Sequence, residues 1–294
     1  MTISKLRILY IVILIVIIAV MVVTIFRDPS DIKLLAKCAA LIIAYIVAIV
    51  KLESWRSSFA GRAYELKYQD LIGDAFTNNK SARKQLIKGI ILYNDGKYDA
   101  AVSKFDNLRK DCTSPNDYSA ILTFRALCFS ERHGYNEAIA TYEELLKYDG
   151  QNSRAWSNLG MNYTKSGRTD LAENAYRNAI RANDKNAYAY TNLASLLLDM
   201  LYEDEADAAL KNTEALKCAK TALQINSTLL PALSMACQAS ARLGDAKGAQ
   251  EYLKQFARSG GDWKALKETM DLEISFAMED DEDDTEEDAP GDNL

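Results

Sequence analysis

The stretch "WSNLGMNYTKSG", from Trp156 to Gly167, decides how the rest of the chain is interpreted. It carries a bulky residue at Trp156, a small one at Gly160, an aromatic one at Tyr163 and a second glycine at Gly167. Residues three or four apart lie on one face of an α-helix. The spacing therefore predicts a helix that packs closely against a neighbour and ends in a glycine turn.

The same pattern recurs along the chain at a constant interval. Shifted by 34 residues, "LTFRALCF" (122–129) and "YTNLASLL" (190–197) align with the first eight residues of the stretch. Each copy is paired with a second helical pattern after a turn. Those second patterns are "GKYDAAVSKFDNL" (96–108), "GYNEAIATYEELL" (134–146), "GRTDLAENAYRNAI" (167–180) and "GDAKGAQEYLKQF" (244–256). Because one helical pair cannot bury its own apolar face, the pairs must stack into a solenoid.

This repeat resembles the tetratricopeptide repeat (TPR) family. The best copy has the family's pattern at Trp156, Leu159, Gly160, Tyr163, Gly167, Ala172, Tyr176 and Ala179. The resemblance implies an all-α, helix-turn-helix solenoid over residues 82–278, in which small residues mark the crossing of the two helices. We expect about five repeats, followed by a capping helix within 262–276. The repeats are expected at 82–118, 119–152, 153–186, 187–229 and 230–261.

Two features depart from the family pattern. The proline usual near the end of each repeat is absent, so the helices are expected to end through Gly, Asn and Asp residues. The residues in its place are Thr113, Gly150, Asp184, Ser227 and Gly261. The fourth repeat also has about nine extra residues within 201–213. They either lengthen the helical hairpin or form an acidic protrusion.

The N-terminal residues have a different composition. Residues 8–26, "ILYIVILIVIIAVMVVTIF", contain no charge, and a second apolar stretch, from Ile32 to Leu52, is interrupted by Lys37. Their lengths match the hydrocarbon thickness of a bilayer, so the sequence predicts a two-helix transmembrane hairpin at about 6–26 and 32–52. A cleaved signal peptide is disfavoured because the first run is too long and no A-x-A site follows it.

The positive charges flanking these segments predict their orientation. Lys5 and Arg7 precede the first segment, and Lys51, Arg56 and Arg62 follow or end the second. Because positive residues favour the cytoplasmic side, we expect both termini and the repeats in the cytoplasm. The chain is thus predicted to be a membrane-anchored bacterial protein, multi-pass in the plasma (inner) membrane, with the lipid bilayer as one partner.

Two further segments flank the predicted domains. Residues 53–81 are expected to form a juxtamembrane helix or linker, which either caps the first repeat or lies on the membrane surface. Residues 279–294 contain ten Asp or Glu and no Lys or Arg. This predicts a disordered acidic tail, acting as a solubilising end, a docking tail for a basic partner or a weak cation binder.

The composition disfavours several classes of function. The net charge is −6, and the chain has no basic stripe for phosphate-backbone binding, so no nucleic acid is expected. Five dispersed cysteines indicate reduced core thiols, and a single histidine, His133, disfavours a metal site. No nucleophile, zinc or nucleotide motif is present. We expect no catalytic residues, no cofactor and no small-molecule substrate, and hence no enzyme.

The first helices of TPR repeats line a concave groove, and the resemblance implies that a protein or peptide partner binds there. The candidate partner-binding residues are Arg154, Asn158, Met161, Lys165, Tyr188, Asn192 and Ser195. Asn158 and Asn192 lie one repeat apart, where amides can hold an extended peptide backbone, although Asn also simply suits this repeat position. Arg154 and Lys165 offer cations to a carboxylate.

The groove lacks the full carboxylate clamp of chaperone-docking TPR domains. Leu86, Ile90, Thr123 and Leu127 stand where that clamp has Lys and Asn. The predicted function is a membrane-anchored interaction scaffold or adaptor. The alternative is a regulatory or sensory subunit that controls a membrane enzyme or transporter.

Overall fold

The computed structural model describes residues 12–13, 15–20, 22–23, 32–200, 202 and 204–286. The chain divides into two compact units between Tyr68 and Gln69. In the first unit, the described residues up to 23 are helical, and helix α1 spans Ile32–Lys67.

The predicted transmembrane hairpin is wrong. The first span, 6–26, is described only at residues 12–13, 15–20 and 22–23. The second span lies within α1, which contains Lys37 and continues through the charged stretch 51–67 instead of ending at residue 52. Within the described parts of the chain, no helix has both the length and the apolarity needed to cross a bilayer. This finding also overturns the prediction of a multi-pass protein of the plasma (inner) membrane, and the lipid bilayer has no support as a partner.

The second unit is an all-α solenoid built of helical hairpins. A short helix, α2, spans Gln69–Ile72. The hairpins that follow are α3 (Lys80–Asn94) with α4 (Tyr98–Leu108), α5 (Pro115–Glu131) with α6 (Tyr135–Tyr148), α7 (Ser153–Lys165) with α8 (Thr169–Ala182), α9 (Ala187–Asp199) with α10 (Glu205–Ile225), and α11 (Leu230–Arg242) with α12 (Ala246–Arg258). The last described helix, α13, spans Trp263–Glu286. Each hairpin packs against the next in the chain, which is the local stacking that the repeat predicted.

Small residues lie where the two helices of a hairpin cross. A Cβ on Gly160 would come within 2.6 Å of the Tyr176 ring, and Gly89 faces the ring of Phe105 in the same way. Ala172 is fully buried beside this crossing. The close packing predicted from the opening stretch is therefore confirmed in α7 and α8.

In four of the five hairpins, the described residues of the turn include one with a left-handed backbone. Gly96, Gly167 and Gly244 have φ between 71° and 75°. In the second hairpin that place is taken by His133, with φ 60°, and not by Gly134, with φ −80°. The sequence alignment had matched Gly134 to Gly167, so the true register differs by one residue. A histidine here bears the strain that glycine avoids.

Asparagine side chains cap the starts of two of the helices. The side chains of Asn152 and Asn186 cap α7 and α9 by accepting from the backbone N–H of Ala155 and Ala189. Ser153 lies between these caps: its hydroxyl donates to the carbonyl of Ala179 at 2.7 Å and accepts from Asn186 Nδ2 at 2.8 Å. These caps lie at helix starts. The sequence expectation concerned helix ends, and there Asp149, Asn183 and Asn226 are the C-cap residues of α6, α8 and α10.

The extra residues of the fourth repeat lengthen its second helix. Helix α10 has 21 residues, whereas α8 has 14. Asp204 caps its start by accepting from the backbone N–H of Asp207. The extra residues therefore add helix at the hairpin turn. Of the two alternatives, the structure shows the longer helical hairpin and not the acidic protrusion.

The last hairpin is covered by α13. Leu266 and Met270 are buried against Cys237 and Leu253, which belong to α11 and α12. This helix runs to Glu286, so residues 279–286 of the expected acidic tail are helical, while 287–294 lie outside the described residues.

The segment before the first hairpin packs onto the solenoid. Ile72, Ala75 and Phe76 are buried, and α2 contacts α5. Phe76 has φ 56°, and its N–H donates to Asp117 Oδ1 at 2.7 Å. Leu86 on α3 is also fully buried, at a position that elsewhere in the solenoid faces the groove.

Candidate functional site

A cavity of about 1190 Å³ lies across three consecutive repeats. Its walls are the N-terminal halves of α5, α7 and α9, the loops that precede α7 and α9, and residues 70–74 at one end. Its lining contains seven asparagines, which offer both hydrogen-bond donors and acceptors. These are Asn116, Asn152, Asn158, Asn183, Asn186, Asn192 and Asn226.

The floor of the cavity contains a buried hydroxyl without a hydrogen bond. Tyr142 is fully buried, and its Oη has no partner among the described residues. The Asn158 amide is the polar side chain beside it, but the two groups do not align as a hydrogen bond. Burial raises the pKa of Tyr142, so this hydroxyl stays protonated and can donate. An unpaired buried hydroxyl is unfavourable, and a ligand acceptor relieves it.

Five of the seven sequence-predicted groove residues line this cavity. They are Arg154, Asn158, Met161, Tyr188 and Asn192. Asn192 Nδ2 donates to Ser157 Oγ at 3.2 Å, which leaves its carbonyl oxygen free for a ligand among the described contacts. Tyr188 is 61% exposed, so its ring is available to a partner.

The other two predicted residues lie outside the lining. Lys165 extends toward Tyr135, with its Nζ 5.8 Å from the ring centroid. Ser195 donates to Asp199 Oδ2 at 3.3 Å, within its own helix. Lys165 is the last residue of its helix, whereas Ser195 is equivalent in position to Met161, which does line the cavity.

The cavity has charges of both signs. Asp70 and Asp74 lie in the N-terminal wall, Arg154 lies on α7, and Lys185 lies in the loop before α9. None of these four side chains forms an ion pair or a side-chain hydrogen bond within the described residues. They are therefore free to pair with a ligand.

Sequence reasoning missed the Tyr142 hydroxyl and the 70–74 wall. Tyr142 occupies the aromatic position of the second helix, where core packing is the ordinary role. Nothing in the sequence indicated that its hydroxyl would reach the groove. The wall was missed because residues 53–81 were interpreted as a linker or capping helix.

The described residues hold no group of three His, Cys, Asp or Glu side chains placed to bind a metal ion. The four described cysteines are free. Burial raises the pKa of Cys128 to about 12 and that of Cys237 to about 11, so these thiols are un-ionised. The chemistry available in the cavity is hydrogen bonding and ion pairing.

Comparison with known proteins identifies the repeat. Residues 131–196 match the tetratricopeptide repeat family model. The match covers 66 of the 294 residues. It includes α7 and most of α9, which carry the candidate groove residues. No curated protein matches the sequence.

Solved TPR structures resemble the chain at low sequence identity. A tetratricopeptide repeat protein from Parabacteroides merdae superposes with a TM-score of 0.53 at 20% identity, covering 72% of this chain and 82% of that one. This likeness shows the same fold. YrrB, described as a TPR protein with an unusual peptide-binding site, gives 0.46 at 18% identity, covering 66% and 94% of the two chains. MamA gives 0.48 at 19% identity, covering 58% and 94%.

Proposed function

We propose that this TPR solenoid is an interaction scaffold that binds an extended peptide segment of a protein partner in the cavity across α5, α7 and α9. The observation that carries the proposal is the unpaired polar floor. The Tyr142 hydroxyl is buried without a regular hydrogen bond, and the Asn158 amide beside it has no other side-chain partner among the described contacts; both residues line the cavity. A peptide backbone presents carbonyl and N–H groups at regular intervals and satisfies both.

The repeat spacing supports the same occupant. Asn158 and Asn192 are 34 residues apart and occupy equivalent places on α7 and α9. Their amides therefore meet successive parts of one extended chain. The exposed ring of Tyr188 provides apolar area beside the polar floor, which is the usual composition of a peptide site.

The proposal is tested by placing a photo-reactive crosslinking residue at Tyr188 of the full-length chain in cells. Partners trapped there are identified by mass spectrometry. The control carries the same residue at Leu171, which is 47% exposed on α8 and outside the cavity lining. We expect a partner crosslinked at position 188 and absent at position 171.

A second arm removes the amides that would hold the partner. In the Asn158→Ala/Asn192→Ala variant the crosslink is expected to be lost. In the matched Asn107→Ala/Asn174→Ala variant, whose residues lie outside the cavity, it is expected to remain. If the crosslink persists in the Asn158→Ala/Asn192→Ala variant, these groove amides do not hold the partner, and the groove is not its binding site.

A further inference from the structure

The N-terminal wall of the cavity carries unpaired carboxylates. Asp70 and Asp74 line the cavity from the segment that packs against α5. Both side chains are exposed, and neither carboxylate accepts a hydrogen bond from any described residue. They are thus not committed to holding the segment in place.

Other groups hold the wall rigidly. Arg83 Nη1 donates to the carbonyls of Gly73 and Ala75, at 3.0 and 2.6 Å. The N–H of Phe76 donates to the buried carboxylate of Asp117. With these contacts in place, a ligand meets a preformed wall rather than one that must be ordered on binding.

An independent observation points to a ligand in the same cavity. Tyr142 is one of the lining residues, and its hydroxyl is buried without a regular hydrogen-bond partner. Among the lining charges that have no partner, the two signs are also separated along the row of repeats; the remaining acidic lining residue, Asp149, accepts a hydrogen bond from Asn152 Nδ2. Asp70 and Asp74 lie beside the second hairpin, while Arg154 belongs to the third and Lys185 precedes the fourth.

Resting on the proposed function, we propose that the 70–74 wall binds the cationic side chain of a lysine or arginine in the partner peptide. The peptide runs with this basic residue beside Asp70 and Asp74 and with its carboxylate-bearing residues toward Arg154 and Lys185. Its backbone then crosses the Tyr142–Asn158 floor. The charge pattern fixes the orientation of the peptide as well as its composition.

Selection of peptides by the full-length chain tests this inference. The probe is a phage-displayed library of random dodecapeptides. We expect peptides with a lysine or arginine near one end and acidic residues further along. Selected peptides are then synthesised and their affinity is measured by fluorescence anisotropy at low and high salt.

The substitution Asp70→Asn/Asp74→Asn is expected to weaken binding about twofold to fivefold for each carboxylate at low salt, and less at high salt. The control, Asp170→Asn/Glu205→Gln, removes the same charge from exposed helix starts outside the cavity and is expected to leave the affinity unchanged. Changing the peptide's basic residue to glutamine is expected to reproduce the loss in the parent protein and to cause no further loss in the Asp70→Asn/Asp74→Asn variant.

Three outcomes overturn the inference. One is equal affinity of the Asp70→Asn/Asp74→Asn variant and the parent. Another is a selected set without a basic residue whose binding still depends on Asn158 and Asn192; this leaves the proposed function standing. The third is a combined result: acetylation of the peptide N-terminus abolishes binding, and changing the basic residue to glutamine has no effect. In that case the wall binds the α-ammonium group of the peptide and not a side chain. If no selected peptide depends on Asn158 and Asn192, the proposed function fails and the inference fails with it.

Discussion

The backbone of Gly160 lies directly against the ring of Tyr176, so that a Cβ at position 160 would come 2.6 Å from Tyr176 Cε1. The two residues are sixteen positions apart, and Gly89 and Phe105 repeat the relationship at the same spacing. The glycine permits the two helices of a hairpin to approach, and the ring fills the space that the missing side chain leaves. This pair sets the distance between α7 and α8.

Replacement of Gly160 by alanine is predicted to lower the free energy of unfolding by about 1–2 kcal/mol. Overpacking against a buried ring costs about 1–3 kcal/mol, and the better helix propensity of alanine offsets about 1 kcal/mol. Urea unfolding followed by circular dichroism measures the change. Gly150→Ala is the control, because its Cβ would have only an ordinary contact at 3.5 Å. Equal stability of the two variants would show that the hairpin relaxes around the extra methyl group.

The left-handed turn at His133 leads to a second prediction. A β-branched residue tolerates φ 60° poorly, so His133→Val is expected to lower the free energy of unfolding by about 1–2 kcal/mol. His133→Gly is expected to cause no loss, because glycine relieves the strain at the expense of a single exposed hydrogen bond to Tyr135 Oη. Thermal and urea unfolding of both variants check this. A valine variant as stable as the parent would mean that the turn changes conformation.

The Ser153 hydroxyl joins two repeats, and its loss is predicted to weaken their junction. Ser153→Ala leaves the carbonyl of Ala179 and the amide of Asn186 each without one hydrogen bond in a buried place. The expected fall in the free energy of unfolding is about 1–3 kcal/mol. Ser103→Ala, at an exposed site on α4, is the control and is expected to change it little. Hydrogen exchange of α8 and α9 should show the loss locally, and uniform exchange across the solenoid would contradict the assignment.

Asp117 makes stability depend on pH. Burial by itself raises the pKa of its carboxyl, but hydrogen bonds from Thr113, Phe76 and Ser114 outweigh burial and lower that pKa below its ordinary value. A group with a lowered folded-state pKa stabilises the protein above its unfolded pKa, about 3.9 for Asp, and this contribution is lost as the pH falls through the folded value.

The free energy of unfolding of Asp117→Asn is therefore predicted to fall below that of the parent by about 2 kcal/mol at neutral pH, with a smaller difference below about pH 4. Urea unfolding at a series of pH values gives the difference. Asp170→Asn, at an exposed helix start, is expected to have little effect throughout. A difference that stays constant down to pH 3 would show that the carboxylate charge does not matter.

The sequence predicted the repeat well because each hairpin is determined by local spacing. The small residues at 160 and 172 and the glycine at 167 each serve the role that the spacing implied. The N-terminal prediction failed because the apolar residues after 31 belong to a helix that continues through charged residues to Lys67. Apolar composition alone did not reveal that continuity.

The candidate site was predictable only in part, for a related reason. The helix positions that face the cavity follow from the repeat, so Asn158 and Asn192 were found from the sequence. Tyr142 joins the lining from a second helix, and Asp70 and Asp74 join it from outside the repeat. Contacts between elements that share no periodicity leave no pattern in the sequence.

The long helix α10 shows at which edge the solenoid accommodates additional residues. Its seven additional residues relative to α8 add about 10 Å of helix at the hairpin turn, since each residue rises about 1.5 Å. The loops that line the cavity lie at the other end of these helices, before α7 and α9. Fluorescent or affinity tags inserted near Asp204 would therefore leave the ligand-facing edge as it is, whereas insertions at 149–152 or 183–186 would reshape it.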